Sequence, residues 1–188
     1  MTERQHRDVE GFAFLIAYIA CIPLANWMIG NVGTVCVPQG PCLVPVAPGL
    51  MAPSGVLMVG LALVLRDLVQ RRLGIAYALG AIAAGAALSG ILAPLPLVFA
   101  STAAFLLSEL ADFAVYTPLQ KRGLVLAVLL SSLVGLVADS IIFLWLAFGS
   151  LDFLLGQIAG KTWMVLLTLP AIEWLRRRDR RLGLVPPV

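Results

Sequence analysis

Glu109, Asp112, Asp139 and Lys161 sit inside stretches that are otherwise apolar enough to cross a membrane. A charge at the bilayer centre costs roughly 2.5–3.5 kcal/mol on insertion scales, so such residues face a bundle interior or a watery cavity and mark a pathway. Carboxylates accept hydrogen bonds and an ammonium donates them, so this set suits recognition of a polar ligand. Its neighbours recur at helical spacing. Ser101, Phe105, Ser108, Glu109, Asp112 and Tyr116 form one face, Ser131, Ser132, Gly135, Asp139 and Phe143 a second, and Gln157, Lys161 and Thr168 a third. Asn26, beside Pro23, adds a polar group near the end of an earlier segment, while Trp145, Phe148 and Trp163 are candidate stacking surfaces. Glu109, Asp112 and Asp139 against Lys161 leave a formal excess of two negative charges, unless Arg66 reaches in or carboxyls carry protons. A purely structural salt-bridge network between helices is the competing reading.

The elements that must position these groups follow from composition. Of 188 residues, 61% are hydrophobic and 12% charged, and the mean hydropathy is +0.99. Soluble domains carry about 25% charged residues, so this is an integral membrane protein. Spans need about 20 mostly apolar residues. Six segments qualify, near 11–29, 53–71, 75–93, 97–117, 123–148 and 153–175. The expected fold is an all-α bundle of six transmembrane helices forming one domain over 1–188. The first segment runs on through Asn26, Trp27 and Met28 without a small-x-small cleavage site, so it reads as a retained helix.

Basic residues set the expected orientation. Arg4, Arg7, Arg66, Arg71, Arg72, Lys121, Arg122, Arg176, Arg177, Arg178, Arg180 and Arg181 all fall on one side, whereas loops 30–52, 94–96 and 149–152 hold no Lys or Arg. The positive-inside rule then places both termini, a tail over 1–10 and a basic tail over 176–188, in the cytoplasm, with 30–52 external. The net charge of +3 reflects topology and attraction to anionic lipid, not a nucleic-acid partner.

Loop 30–52 is rich in Gly30, Gly33, Pro38, Gly40, Pro41, Pro45, Pro48 and Gly49, which rules out a helix and suggests a compact external cap or a tolerated insertion. Within it, Cys36 and Cys42 could bridge in an oxidising compartment, whereas Cys21 reads as a small core residue. His6 is the sole histidine, and no cluster with metal-ligand spacing occurs. The second segment is short before Arg66 and Asp67. Either it ends at the interface near Arg66, or it runs to about Arg72 with Arg66 and Asp67 facing the interior. Gly80, Ala83, Ala84, Gly85 and Ala87 permit close helix approach, within the bundle or in a homodimer.

With these residues laid out, the chain resembles the VUT family of integral membrane proteins, the queuosine precursor transporters. PSGVLMVGLALVLRDLVQRRLG is similar to the family's second-helix block, with Asp67, Arg71 or Arg72, and Gly74 on its positions. FASTAAFLLSELADFAVYTPLQKR places Ser101, Glu109 and Asp112 on a second motif. SSLVGLVADSIIFLWLAF carries Ser132, Asp139, Ser140, Phe143 and Phe148 on a third. Lys161 and Pro170 match the last helix, and Asn26 an early Ser-Asn pair in which Ala25 replaces the Ser. Departures occur too: some members have Gln at Glu109 and Thr at Arg66, and a frequent Phe-Pro is missing.

The resemblance implies import of 7-deazaguanines such as preQ0 or preQ1 across the cytoplasmic membrane, by a non-enzyme without a cofactor. Such a base has adjacent N–H donors that Glu109, Asp112 or Asp139 could accept. Asn26 and Gln157 would complement its other polar atoms, Phe105, Phe143 or Trp145 would hold the ring, and Lys161 would supply a counter-charge, with Arg66 and Asp67 as further candidates. No GxxxxGK[ST] loop is present. Two rivals stand beside this reading: the substrate-binding S component of an ECF-type vitamin or nucleobase importer, and a membrane enzyme with a carboxylate site.

Overall fold

The computed structural model describes residues 3–36 and 41–183. Among them are six long helices: α1 (Glu3–Asn31), α2 (Val56–Leu73), α3 (Ile75–Leu92), α4 (Val98–Leu119), α5 (Leu124–Phe148) and α6 (Leu154–Leu182). Five of these are long and apolar enough to cross a membrane, which makes the chain a multi-pass membrane protein. The exception is α2, which carries Arg66, Asp67, Arg71 and Arg72 within 18 residues.

Packing explains that exception. Helix α2 touches all five other helices, while α1, α3, α4, α5 and α6 form an arc around it, each against its neighbour. A helix enclosed in this way meets protein instead of lipid, so its charges need partners rather than an apolar surface. Twelve of its residues are buried, including Arg66, Asp67, Gln70, Arg71 and Arg72. Of the two sequence readings, the helix therefore continues past Arg66. Hydropathy could not separate a central polar helix from a short span, because it scores exposure to lipid that this helix does not have.

The bundle has two distinct ends. At one, loop 30–52 and the residues after it form a small antiparallel sheet of β1 (Val35–Cys36), β2 (Cys42–Ala47) and β3 (Leu50–Pro53). The sheet departs from an all-helical expectation, and Pro38 and Gly40 lie outside the described residues. Its hairpin turns at Pro48–Gly49, where Gly49 has φ 72°, a left-handed angle that glycine adopts without steric cost. Pro45 cannot donate to a ladder, and the β2–β3 register shifts between Pro45 and Ala47. A disulfide joins Cys36 to Cys42. The sheet lies against α1 and α6, and Trp163 Nε1 donates to the Val46 carbonyl at 2.9 Å.

At the other end α1 begins, α2 turns into α3 at Gly74, and α6 continues to Leu182. Residues 176–182, read as part of the basic tail, continue α6; the Arg176–Glu173 and Arg177–Glu173 pairs at i,i+3 and i,i+4 support these turns.

Helices α2 and α6 pack closely at Gly60. A side chain there would place its Cβ 2.7 Å from the Lys161 carbonyl oxygen and 2.9 Å from the Lys161 Cα. Gly60→Val should force the two helices apart and destabilise the protein by about 1–3 kcal/mol. Thermal unfolding in detergent checks this, and an unchanged midpoint would contradict the close approach.

Candidate functional site

Two buried polar clusters and a cavity occupy the bundle interior. In the first cluster, Arg66 on α2 is fully buried. Its Nη1 lies 2.9 Å from Asp67 Oδ1 and 3.1 Å from Gln70 Oε1. Nε donates to Glu109 Oε2 at 3.2 Å, and Nη2 pairs with Asp112. Ser131 on α5 donates to Asp67 Oδ2 at 2.8 Å. The guanidinium carbon lies 5.8 Å and 5.7 Å from the ring centres of Phe113 and Tyr116, within cation–π range. Arg66 thus uses its planar fork to gather carboxylates from α2 and α4.

The second cluster centres on Lys161 of α6. Its ammonium has three N–H bonds, and they reach Asp139 Oδ2 at 2.6 Å, Ser140 Oγ at 2.8 Å and Gln157 Oε1 at 2.8 Å. The Ser108 hydroxyl from α4 lies 3.5 Å from Asp139 Oδ1, at the edge of this second cluster. Arg66 does reach in, but Asp67 enters beside it. The two cations face Asp67, Glu109, Asp112 and Asp139, so the formal excess of two negative charges persists.

A cavity of about 100 Å³ lies toward the sheet end. Asn26 and Cys21 come from α1, Met58 and Ala62 from α2, Ser89 from α3, Ser101 and Phe105 from α4, Asp139 and Phe143 from α5, and Gln157 and Lys161 from α6. Pro53 and Gly55, which lead from the sheet into α2, also line it. Because Asn26, Val56, Ser89, Ser101, Phe143 and Gln157 all sit near the sheet-side ends of their helices, the space belongs to that end. The Arg66 cluster lies one helical turn deeper, since Arg66 follows Ala62 and Glu109 follows Phe105 by four residues.

The sequence candidates divide accordingly. Asn26, Phe105, Asp139, Phe143, Gln157 and Lys161 line the cavity. Arg66, Asp67, Glu109 and Asp112 are buried beneath it and bind one another. Trp145 is 63% exposed and does not line the cavity. It follows Asp139 by six residues, which turns it about 120° from the Asp139 face. Trp163 is likewise on the outside, bonded to the sheet.

Hydrogen-bond directions say what the cavity can offer. Asn26 Nδ2 donates back to Ile22 O at 3.0 Å, leaving its Oδ1 as an acceptor. Gln157 gives its oxygen to Lys161, leaving its amide N–H groups as donors. Asp139 keeps unused lone pairs despite its bond to Lys161. Ser89 and Ser101 add hydroxyls, and Phe105 and Phe143 add flat apolar faces.

Sequence reasoning missed Tyr18, Ser89, Glu10 and Asp179. Tyr18 is fully buried against Phe105, their ring centres 6.3 Å apart. It shares a helical stripe with Cys21, Ile22 and Asn26, a spacing that could have revealed it. Ser89 was hidden in the small-residue run of α3. Asp179 stands inside a run of arginines that reads as a topology signal; it is 2% exposed and binds Arg71 and Arg72. Among the described residues no cluster of His, Cys, Asp or Glu could hold a metal ion.

Residues 90–175 match the model of a family described as "Putative vitamin uptake transporter", in agreement with the VUT resemblance. The match takes in α4, α5 and most of α6, and so the Glu109, Asp112, Asp139, Gln157 and Lys161 positions. A transporter family implies a small-molecule substrate and a membrane setting. No curated protein and no solved structure matches the chain.

Removing Arg66 would leave three carboxylates facing one another without a cation. Arg66→Met should therefore destabilise the protein by about 3–5 kcal/mol, the usual cost of breaking a buried pair. Asp139→Asn should also be costly alone, since it strands Lys161, and adding Lys161→Gln should recover much of the loss. Unfolding of the single and double variants in detergent reads both effects, and additive losses at Asp139 and Lys161 would contradict the pairing.

Proposed function

We propose that the chain imports 7-deazaguanine queuosine precursors across the cytoplasmic membrane, binding the base in the sheet-end cavity with both termini cytoplasmic. The observation that carries this reading is the joint lining of one cavity by Asp139, Gln157, Lys161 and Asn26 with Phe105 and Phe143. A deazaguanine is flat and presents two adjacent N–H donors beside a carbonyl. Asp139 accepts the donor pair, Gln157 donates to the carbonyl, and Asn26 Oδ1 accepts from what remains. Phe105 and Phe143 hold the ring by its faces or edges.

Charge supports an uncharged or donor-rich cargo. Lys161 and Asp139 balance each other at the cavity wall, so a neutral base meets no net charge there. The deeper negative excess around Arg66 lies where it would favour a cationic substituent over an anionic one. Glu109 and Asp112, candidates for reading the base edge on sequence grounds, are taken up by Arg66, so the edge-reading role falls to Asp139. The basic residues at the end opposite the cavity make that end cytoplasmic by the positive-inside rule, and the cavity then faces outward, as an importer awaiting its substrate would.

Binding is tested on detergent-purified protein with preQ0, preQ1, guanine and adenine. A base at about 100 times its Kd should stabilise by about 2.7 kcal/mol and should slow modification of Cys21, the free cysteine and a cavity residue. The Asp139→Asn/Lys161→Gln variant should unfold near the wild-type temperature yet lose the ligand shift. If no purine or deazapurine shifts the wild type, the substrate assignment is wrong. Uptake by proteoliposomes holding this chain alone separates an independent carrier from an S component, which would need an ATPase partner.

A further inference from the structure

The end of the bundle opposite the cavity is held shut by a second set of ions that the substrate reading does not use. Asp179 on α6 accepts from Arg71 Nε and Nη2 at 3.2 and 2.9 Å. It also accepts from Arg72 Nη1 and Nη2 at 3.1 and 2.7 Å. Arg72 Nη2 lies 3.0 Å from Glu10 Oε2 on α1, and Glu10 pairs in turn with Arg178 on α6. One carboxylate and its partners therefore tie the start of α1, the end of α2 and the end of α6.

Three features distinguish this cluster from ordinary helix glue. Helices α1 and α6 each pack against α2 but have no extended contact with each other, so the Glu10–Arg178 and Glu10–Arg72–Asp179 links bridge a seam. The cluster sits beside the exposed Arg177, Arg180 and Arg181, at the level where water is at hand. Ion pairs separated there are rehydrated, whereas pairs separated in the hydrocarbon interior are not. Gly11 seats α1 against this corner: a Cβ at Gly11 would meet the Leu73 side chain at 2.5 Å and the Arg72 Cβ at 2.9 Å. The seam is thus closed by close packing and by ion pairs whose outer members, Glu10 and Arg178, are partly exposed.

We propose that the Glu10–Arg72–Asp179–Arg178 cluster is the gate of the basic end, closed while the cavity opens at the sheet end and broken when α1 and α6 part. The proposal rests on the transport reading, but its test needs no substrate. Cys21 lines the cavity and is the free thiol among three cysteines, the other two being disulfide-bonded. It therefore reports which face of the membrane the cavity reaches.

A small, membrane-impermeant thiol reagent applied to either face of sealed vesicles should modify wild-type Cys21 from the sheet face and hardly at all from the basic face. Glu10→Gln and Arg178→Gln remove partly exposed members of the cluster and should fold normally. Each should raise basic-face labelling by about tenfold, a population shift of about 1.4 kcal/mol, and Asp179→Asn should raise it further. Cys21→Ala gives the background. Wild-type protein labelled equally from both faces, or Gln variants with unchanged basic-face labelling, would overturn the gate. Loss of ligand protection at Cys21 with gating intact would count against the substrate reading alone.

Discussion

A guanidinium with no exposure to solvent, Arg66, sits where five surrounding helices meet a sixth. Such a charge is tolerable only if its donors are used, and Arg66 directs them at Asp67, Gln70, Glu109 and Asp112. That requirement fixes much else. Helix α2 must be central, because facing lipid at mid-depth Arg66 and Asp67 would each cost roughly 2.5–3.5 kcal/mol. Helix α4 must present Glu109 and Asp112 toward α2, and α5 must bring Ser131 to the far side of Asp67. Close packing at Gly135, where a Cβ would lie 2.9 Å from Leu63 and 3.0 Å from Asp112 Cβ, lets α5 come near enough to do so. The apolar core of Leu63, Leu68, Tyr116, Val128 and Leu136 then fills the space around these ions.

Once Arg66 has claimed Glu109 and Asp112, the polar residues have separate duties. The Arg66 cluster binds its own members and stands below the cavity, with Asp112 Oδ2 left without a hydrogen-bond partner among the described residues. The Asp139–Lys161 pair is different, because Asp139 and Lys161 both line open space while binding each other. Gln157 stands between the two duties, its oxygen given to Lys161 and its amide facing outward to the cavity. In the proposed binding mode, a ligand meets Asp139, Gln157 and Asn26 without breaking the Lys161 contacts. The pocket can thus be emptied and filled while the ion network stays intact.

Much of this was legible in the sequence, and the failures have physical causes. Hydropathy located α1, α3, α4, α5 and α6 because those helices face lipid, and it faltered on α2 because that helix does not. The i,i+4 spacing of Phe105 with Glu109, and of Asp139 with Phe143, identified interior faces. The same arithmetic, carried six residues on, would have sent Trp145 outward. The strands around Pro48–Gly49 were missed because Pro and Gly signalled a loop, although Val44, Val46, Leu50 and Met51 flank a turn in a hairpin pattern. Asp179 was invisible for another reason. In a run of arginines, sequence cannot tell a solvated charge from one that two neighbouring helix ends converge on.

The charges along α2 therefore differ in what it costs to disturb them. Near the sheet end α2 is apolar and lines the cavity through Val56, Met58, Val59 and Ala62. At mid-depth, Arg66 and Asp67 are enclosed, and separating them from their partners would strand ions far from water. At the last turn Arg71 and Arg72 bind a buried aspartate from α6, and Arg72 also binds a partly exposed glutamate from α1. A single helix thus runs from the cavity wall through an enclosed ion cluster to the contacts proposed as the gate. In the proposed gating, the basic-end contacts separate while the Arg66 contacts stay in place. This is why the costly ions belong at the centre of the bundle, and the separable ones at its edge.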